Sequence, residues 1–205
     1  MKPRSLAALA VVVLLAGCIG GALSFSASPA TVDEAALEAA NYTGQDPEPV
    51  TINETVEVAG VSRQVTATTW TTSYMSNETP ATLIVASTPD ATIAGQSVNP
   101  ITRLTGKELL QRVAKEVGNT DGVNFEDIEV VQRENRKILG KQTEVTTFAT
   151  TASTDRGEVP IRIHLASVSH QGDVVVLVGV HPKKVDERST QLKLMEAVEH
   201  QGNKE

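Results

Sequence analysis

The chain is short of several residue types, and each shortage excludes a class of function. One cysteine in 205 residues leaves no disulfide framework and no CxxC redox or zinc pair. Three Phe, two Tyr and one Trp oblige Val, Leu, Ile and Ala to fill the core, and they provide no stacking platform for nucleic acid. Lys and Arg number 18 against 25 Asp and Glu, a net charge of −7, which argues against a nucleic-acid-binding surface. The four His form no HExxH pattern. Neither a GxSxG elbow, a Gly-rich phosphate loop nor a paired-carboxylate signature is present. The length suits one domain and is too short for a two-lobed solute receptor or an α/β barrel. A hydrophobic share of 40% with 21% charged is ordinary for a globular protein and excludes wholesale disorder.

The one long apolar run lies at the start. Lys2 and Arg4 precede an eleven-residue stretch from Leu6 to Ala16, the layout of a secretory leader. The stretch ends in Leu15, Ala16, Gly17 and Cys18, which resembles the lipobox of bacterial and archaeal lipoproteins. That resemblance implies a signal peptide over 1–17, cleavage between Gly17 and Cys18, and a lipid on the Cys18 thiol. An uncleaved membrane helix is the alternative, since the run continues through Ile19, Ala22 and Leu23; Gly17, Gly20 and Gly21 weigh against it. Loss of Lys2 and Arg4 with the leader takes the charge from −7 to −9. A domain so acidic is repelled by anionic headgroups, so a covalent lipid is the expected anchor at the extracytoplasmic face of the cell membrane. With Cys18 modified no thiol remains for chemistry.

Along the rest of the chain the pattern predicts a tether over 18–22, one domain over 23–201 and a tail over 202–205. Residues 23–27 read as a strand and 31–40 as a helix opened by a Thr31/Glu34 capping box. Residues 42–49 read as a loop, then 50–58 and 61–75 as strands joined at Ala59 and Gly60. A strand over 83–87 and a loop over 89–100 follow. A second capping box, Thr105 and Glu108, opens a helix with Leu109, Leu110, Val113 and Val117 on one face and Gly118 as its stop. Strands are expected at 127–133, 138–152, 159–169 and 173–181, and a closing helix at 186–200. The fold class is therefore α+β: a mainly antiparallel sheet of long hairpins with three helices packed against it. This arrangement resembles the Mog1 and PsbP type of α-β-α sandwich, a likeness of fold that carries no function.

The acid excess, the Thr and Val richness and the scarcity of Lys and aromatics are similar to proteins adapted to high salt, where the Debye length is only about 3 Å. At Leu23, Ser24, Phe25, Ser26, Ala27, Ser28, Pro29, Ala30, Thr31 and Val32, and again from Asp173 through His181 and Pro182 to Leu194, Met195, Val198, Glu199 and His200, the chain resembles a group of haloarchaeal lipoproteins of unknown function. The resemblance implies an archaeal surface location and assigns no activity. Many haloarchaeal precursors carry paired arginines, which are lacking here, so the general secretory route is expected.

Few residues can carry chemistry. A turn at Gln171 and Gly172 makes His170 face Asp173 and His164 face Gly179. Ile161, Ile163, Leu165, Val174, Val176, Val178 and Val180 then form the core face. The other face carries Arg162, His164, Ala166, Val168 and His170 beside Asp173, Val175, Leu177, Gly179 and His181. His164 and His181 become diagonal neighbours, close enough to approach one ion, with His170 as a third metal candidate; the competing reading is structural histidines beneath a helix. Ser167 and Ser169 point to the opposite face, so a Ser, His and Asp triad fails. Asn119 and Asp121 lack the spacing of a calcium loop and read as a turn. Asn41, Asn53 and Asn77 each begin an Asn-x-Thr glycosylation sequon, the third weakened by Pro80. Trp70 reads as a packing residue.

These features predict a lipid-anchored surface domain that binds a protein or small-molecule partner without catalysis, with no cofactor and no catalytic residue. The alternative is a metal-dependent or His-based enzyme using His164, His170 and His181.

Overall fold

The computed structural model describes residues 23–58, 60–93, 95–117, 127–155 and 157–202. The leader, Cys18 and the tether, and the 118–126 segment with its expected helix stop and turn lie outside them. In chain order the elements are β1 (Leu23–Ser26), β2 (Ala30–Val32), α1 (Glu34–Ala40), β3 (Tyr42–Gly44), β4 (Glu48–Val58), β5 (Val61–Ser76), β6 (Thr82–Pro89), β7 (Thr92–Ile93) and β8 (Gln96–Ser97). A 3-10 turn (Pro100–Arg103), α2 (Gly106–Val117), β9 (Glu129–Ile138), β10 (Lys141–Thr154), β11 (Gly157–His170), β12 (Asp173–Pro182), α3 (Arg188–Glu196) and β13 (Val198–His200) complete the chain.

The main sheet runs β1-β5-β6-β12-β11-β10-β9, with β3 and β4 pairing with β5. Every neighbouring pair is antiparallel except β1 with β5. Tight turns explain the long hairpins: Gly60 at φ +76° and Gly172 at φ +86° adopt the left-handed conformation that such turns require.

Both sheet faces are buried. On one, Ile101 of the 3-10 turn and Leu109, Leu110 and Val113 of α2 pack against Phe148, Ile163, Leu165, Val174 and Val176. On the other, Leu192, Leu194 and Met195 of α3, with β2 and β13, cover Leu83, Val85, Val145, Ala166, Val175 and Leu177. The architecture is α+β, a mixed and mainly antiparallel sheet between helices. The single core face expected for the last hairpin is thus half of the arrangement: Ala166, Val168, Val175 and Leu177, which share a face with the histidines, belong to a second core.

Other boundaries also differ. Thr31 and Val32 belong to a strand, because Ala30, Thr31 and Val32 pair with His200, Glu199 and Val198 and the Val32 N–H donates to the Tyr74 hydroxyl at 2.8 Å. Asp33 caps α1 instead, its carboxylate accepting from the Ala36 N–H at 2.9 Å. Residues 42–44 form β3 against Tyr74 to Ser76, not loop. The 89–100 loop holds the small β7–β8 hairpin. β9 continues through 134–137, and the turn shifts to Leu139 and Gly140, both at positive φ. The closing helix stops at Glu196, and 198–200 are the strand that buries Val198 and His200.

Candidate functional site

Strand register builds a row of side chains on the α3 face. Gln132 of β9 lies opposite Thr147 of β10, Thr147 opposite His164 of β11, and His164 opposite Gly179 of β12. Arg162 is paired with His181 in the same ladder, so His164 and His181 meet diagonally, as the turn at Gln171 and Gly172 requires. Their Nε2 atoms are 3.1 Å apart, with the rings stacked at 5.2 Å. His164 is 0% exposed and His181 3%.

The surrounding acceptors fix the protons of this pair. His181 Nδ1 lies 3.0 Å from the Pro182 carbonyl, which only accepts, so Nδ1 carries the hydrogen and Nε2 of a neutral ring is bare. His164 Nε2–H then donates to His181 Nε2, and His164 Nδ1 accepts from the Thr147 hydroxyl at 2.9 Å. Burial holds His164 neutral, pushing it from 6.5 down to about 4; His181, Arg188 and Arg162 act the same way, and Glu134 opposes them. All four ring nitrogens are engaged. With this proton arrangement each ring nitrogen is committed to a neighbour, and a base held near 4 barely activates the buried Thr147 hydroxyl at neutral pH.

The pair lines an open cleft of about 420 Å³ whose wall also includes Gln132, Arg162, Lys183, Lys184, Asp186 and Arg188. Lys183 to Asp186 lie in the connection from β12 to α3, and Arg188 begins α3. Glu134 of β9 fixes Arg188 and also holds Arg136 at 2.6 Å. Burial pushes the Glu134 carboxyl up, but the two guanidinium groups outweigh it and leave the group below its ordinary range. Arg188 Nε is buried without a partner.

His170 shares the strand face but not the cleft. Its Nδ1 lies 3.0 Å from His200 Nδ1, and His200 Nε2 lies 3.0 Å from Asp173 Oδ2. Asp173 Oδ2 also accepts from the Ser28 N–H at 2.9 Å. Burial raises the Asp173 carboxyl pKa, with the Ser28 and His200 contacts opposing. The three histidines singled out on the hairpin thus divide into His164 with His181 and His170 with His200. Among the described residues no three His, Cys, Asp or Glu side chains are grouped to hold a metal ion. His200 was missed because a closing helix placed it elsewhere; the alternation of Val198 and His200 was the available signal.

The remaining candidates are scattered. Asn41, Asn53 and Asn77 are exposed; Asn77 Nδ2 donates to Asn41 Oδ1 at 3.0 Å, so two of the sequons adjoin. Trp70 is half-buried beside Ser87. A separate, mostly apolar groove beneath the β4–β5 hairpin is lined by Ile52, Val65, Ala67, Ile101 and the Arg112–Glu54 ion pair. Cys18 lies outside the described residues, and no helix among those described is long and apolar enough to cross a membrane.

Residues 29–199 match the domain of unknown function DUF6517, and the chain belongs to that family. No curated protein matches it.

Proposed function

We propose that the chain is a membrane-anchored lipoprotein of the cell surface, held through a lipid on Cys18, whose extracytoplasmic domain binds a ligand at the His164–His181 cleft without transforming it. The observation that carries the binding reading is the cleft itself: it is open and polar, and the His pair beside it has every ring nitrogen engaged. Such a wall recognises and positions but supplies neither base nor nucleophile.

The leader supports the anchor. Four residues lie between Cys18 and Leu23, the first residue of β1, a reach of about 17 Å over the five Cα–Cα steps when extended, so a lipid at Cys18 holds the domain close to the bilayer. Substitution Cys18→Ser is expected to move the protein from the membrane fraction to the soluble fraction. Retention of the variant in membranes with its leader cleaved contradicts the anchor.

A further inference from the structure

We propose that the cleft beside His164 and His181 is a binding site for a phosphate-bearing ligand, held by Arg162, Lys183, Lys184 and Arg188. The inference rests on the reading of this cleft as a ligand site and adds the chemical class. In a chain with more acids than bases, four of the 18 Lys and Arg line one concavity, accompanied in its lining by Asp186 alone among the acids. The surrounding surface gives no reason for that concentration. Arg162, Lys183 and Lys184 make no ion pair among the described residues, whereas Arg112, Arg133, Arg136 and Arg188 each find a carboxylate. Arg188 is held in place by Glu134 and still has a buried Nε without an acceptor. Three cations without an ion pair, with the anchored Arg188 beside them, around an open space describe a place for an anion.

The number and placement of the cations favour phosphate over a lone carboxylate. A phosphate monoester brings nearly two charges and three acceptor oxygens, and its tetrahedral oxygens accept from several directions. Here the donors arrive from three segments: β11 supplies Arg162, the β12–α3 connection supplies both lysines, and α3 supplies Arg188. Arg forks and Lys ammonium groups are suited to phosphate oxygens. A soluble phosphate ester and a phospholipid headgroup present the same chemistry, and the test separates them.

The experiment is calorimetric titration of the detergent-solubilised full chain with inorganic pyrophosphate at pH 7 and low salt. Saturable binding of one equivalent is expected, weakened at least tenfold by Arg162→Gln and by the double substitution Lys183→Gln/Lys184→Gln, and unchanged by Arg133→Gln on β9 outside the cleft. Flotation of the Cys18→Ser chain with phosphatidylcholine vesicles, with and without phosphatidylglycerol, identifies the source: Arg162-dependent binding that needs phosphatidylglycerol and that pyrophosphate displaces assigns a headgroup, and pyrophosphate binding in solution without it assigns a soluble ester. Absence of saturable heat from a chain that still melts cooperatively overturns the proposal, as does binding indifferent to both cleft variants. Citrate binding in the absence of pyrophosphate binding overturns only the phosphate class and leaves the cleft a ligand site.

Discussion

Lowering the pH from 7 to 4 is expected to remove about 3 kcal/mol of folding stability through His164 alone. The imidazole is pushed from 6.5 down to about 4 in the fold, chiefly by burial, and at about 1.4 kcal/mol per pH unit that displacement amounts to about 3 kcal/mol. The sign follows from proton counts. Between the two values the unfolded chain binds a proton on His164 and the folded chain does not, so stability is fully present above 6.5 and is lost as the pH falls through the folded value. His170, also lowered by burial and by His200 and Lys141, adds in the same direction. Chemical denaturation across this range, repeated on His164→Gln, checks the assignment: the variant is expected to be less stable at pH 7 and to lose less on acidification. An equally steep acid loss in the variant assigns the dependence to other groups.

The second large effect is expected at Gly179, the residue opposite His164. A Cβ there would lie 2.5 Å from Gln191 Oε1, 3.0 Å from its Cδ and 3.3 Å from the Met195 terminal methyl. Gln191 cannot swing aside cheaply, since it is fully buried and its Nε2 donates to the Thr82 and Val180 carbonyls at 3.1 Å each. The missing side chain is what lets α3 seat on β12 and bring Arg188 to the cleft. Gly179→Val is expected to cost about 3 kcal/mol by overpacking, a fall of about 6 to 12 °C in Tm for a domain of this size. An unchanged Tm means that α3 does not sit against β12 at this depth.

The last hairpin was legible in the sequence because its turn is short and its alternation strict. Gln171 and Gly172 fix the register, and the register alone brings His164 to His181. What covers that face was not legible. Ile161, Ile163 and Leu165 announce one core, but Ala166, Val168, Val175 and Leu177 are interleaved with Arg162, His164 and His181, and only the docking of α3 makes them a second core. β9 was shortened for a related reason: Glu134, Asn135, Arg136 and Lys137 are polar in succession, and their strand is held by pairing with β10 and by the Glu134 ion pairs rather than by alternating apolar residues. The cleft was hidden because its cations lie on separate segments. Lys183 and Lys184 fall in the connection before the expected closing helix and Arg188 in its first turn, and nothing in their spacing joins them to Arg162 until α3 turns back over Arg162 and His164.

The most direct measurement of the account is the imidazole nitrogen NMR spectrum of the full chain at pH 7, recorded with and without pyrophosphate. Opposite tautomers are predicted, His164 protonated on Nε2 and His181 on Nδ1, with signals that move together as pyrophosphate saturates the cleft. The reverse tautomers, or signals at both positions that do not respond to pyrophosphate, would contradict it.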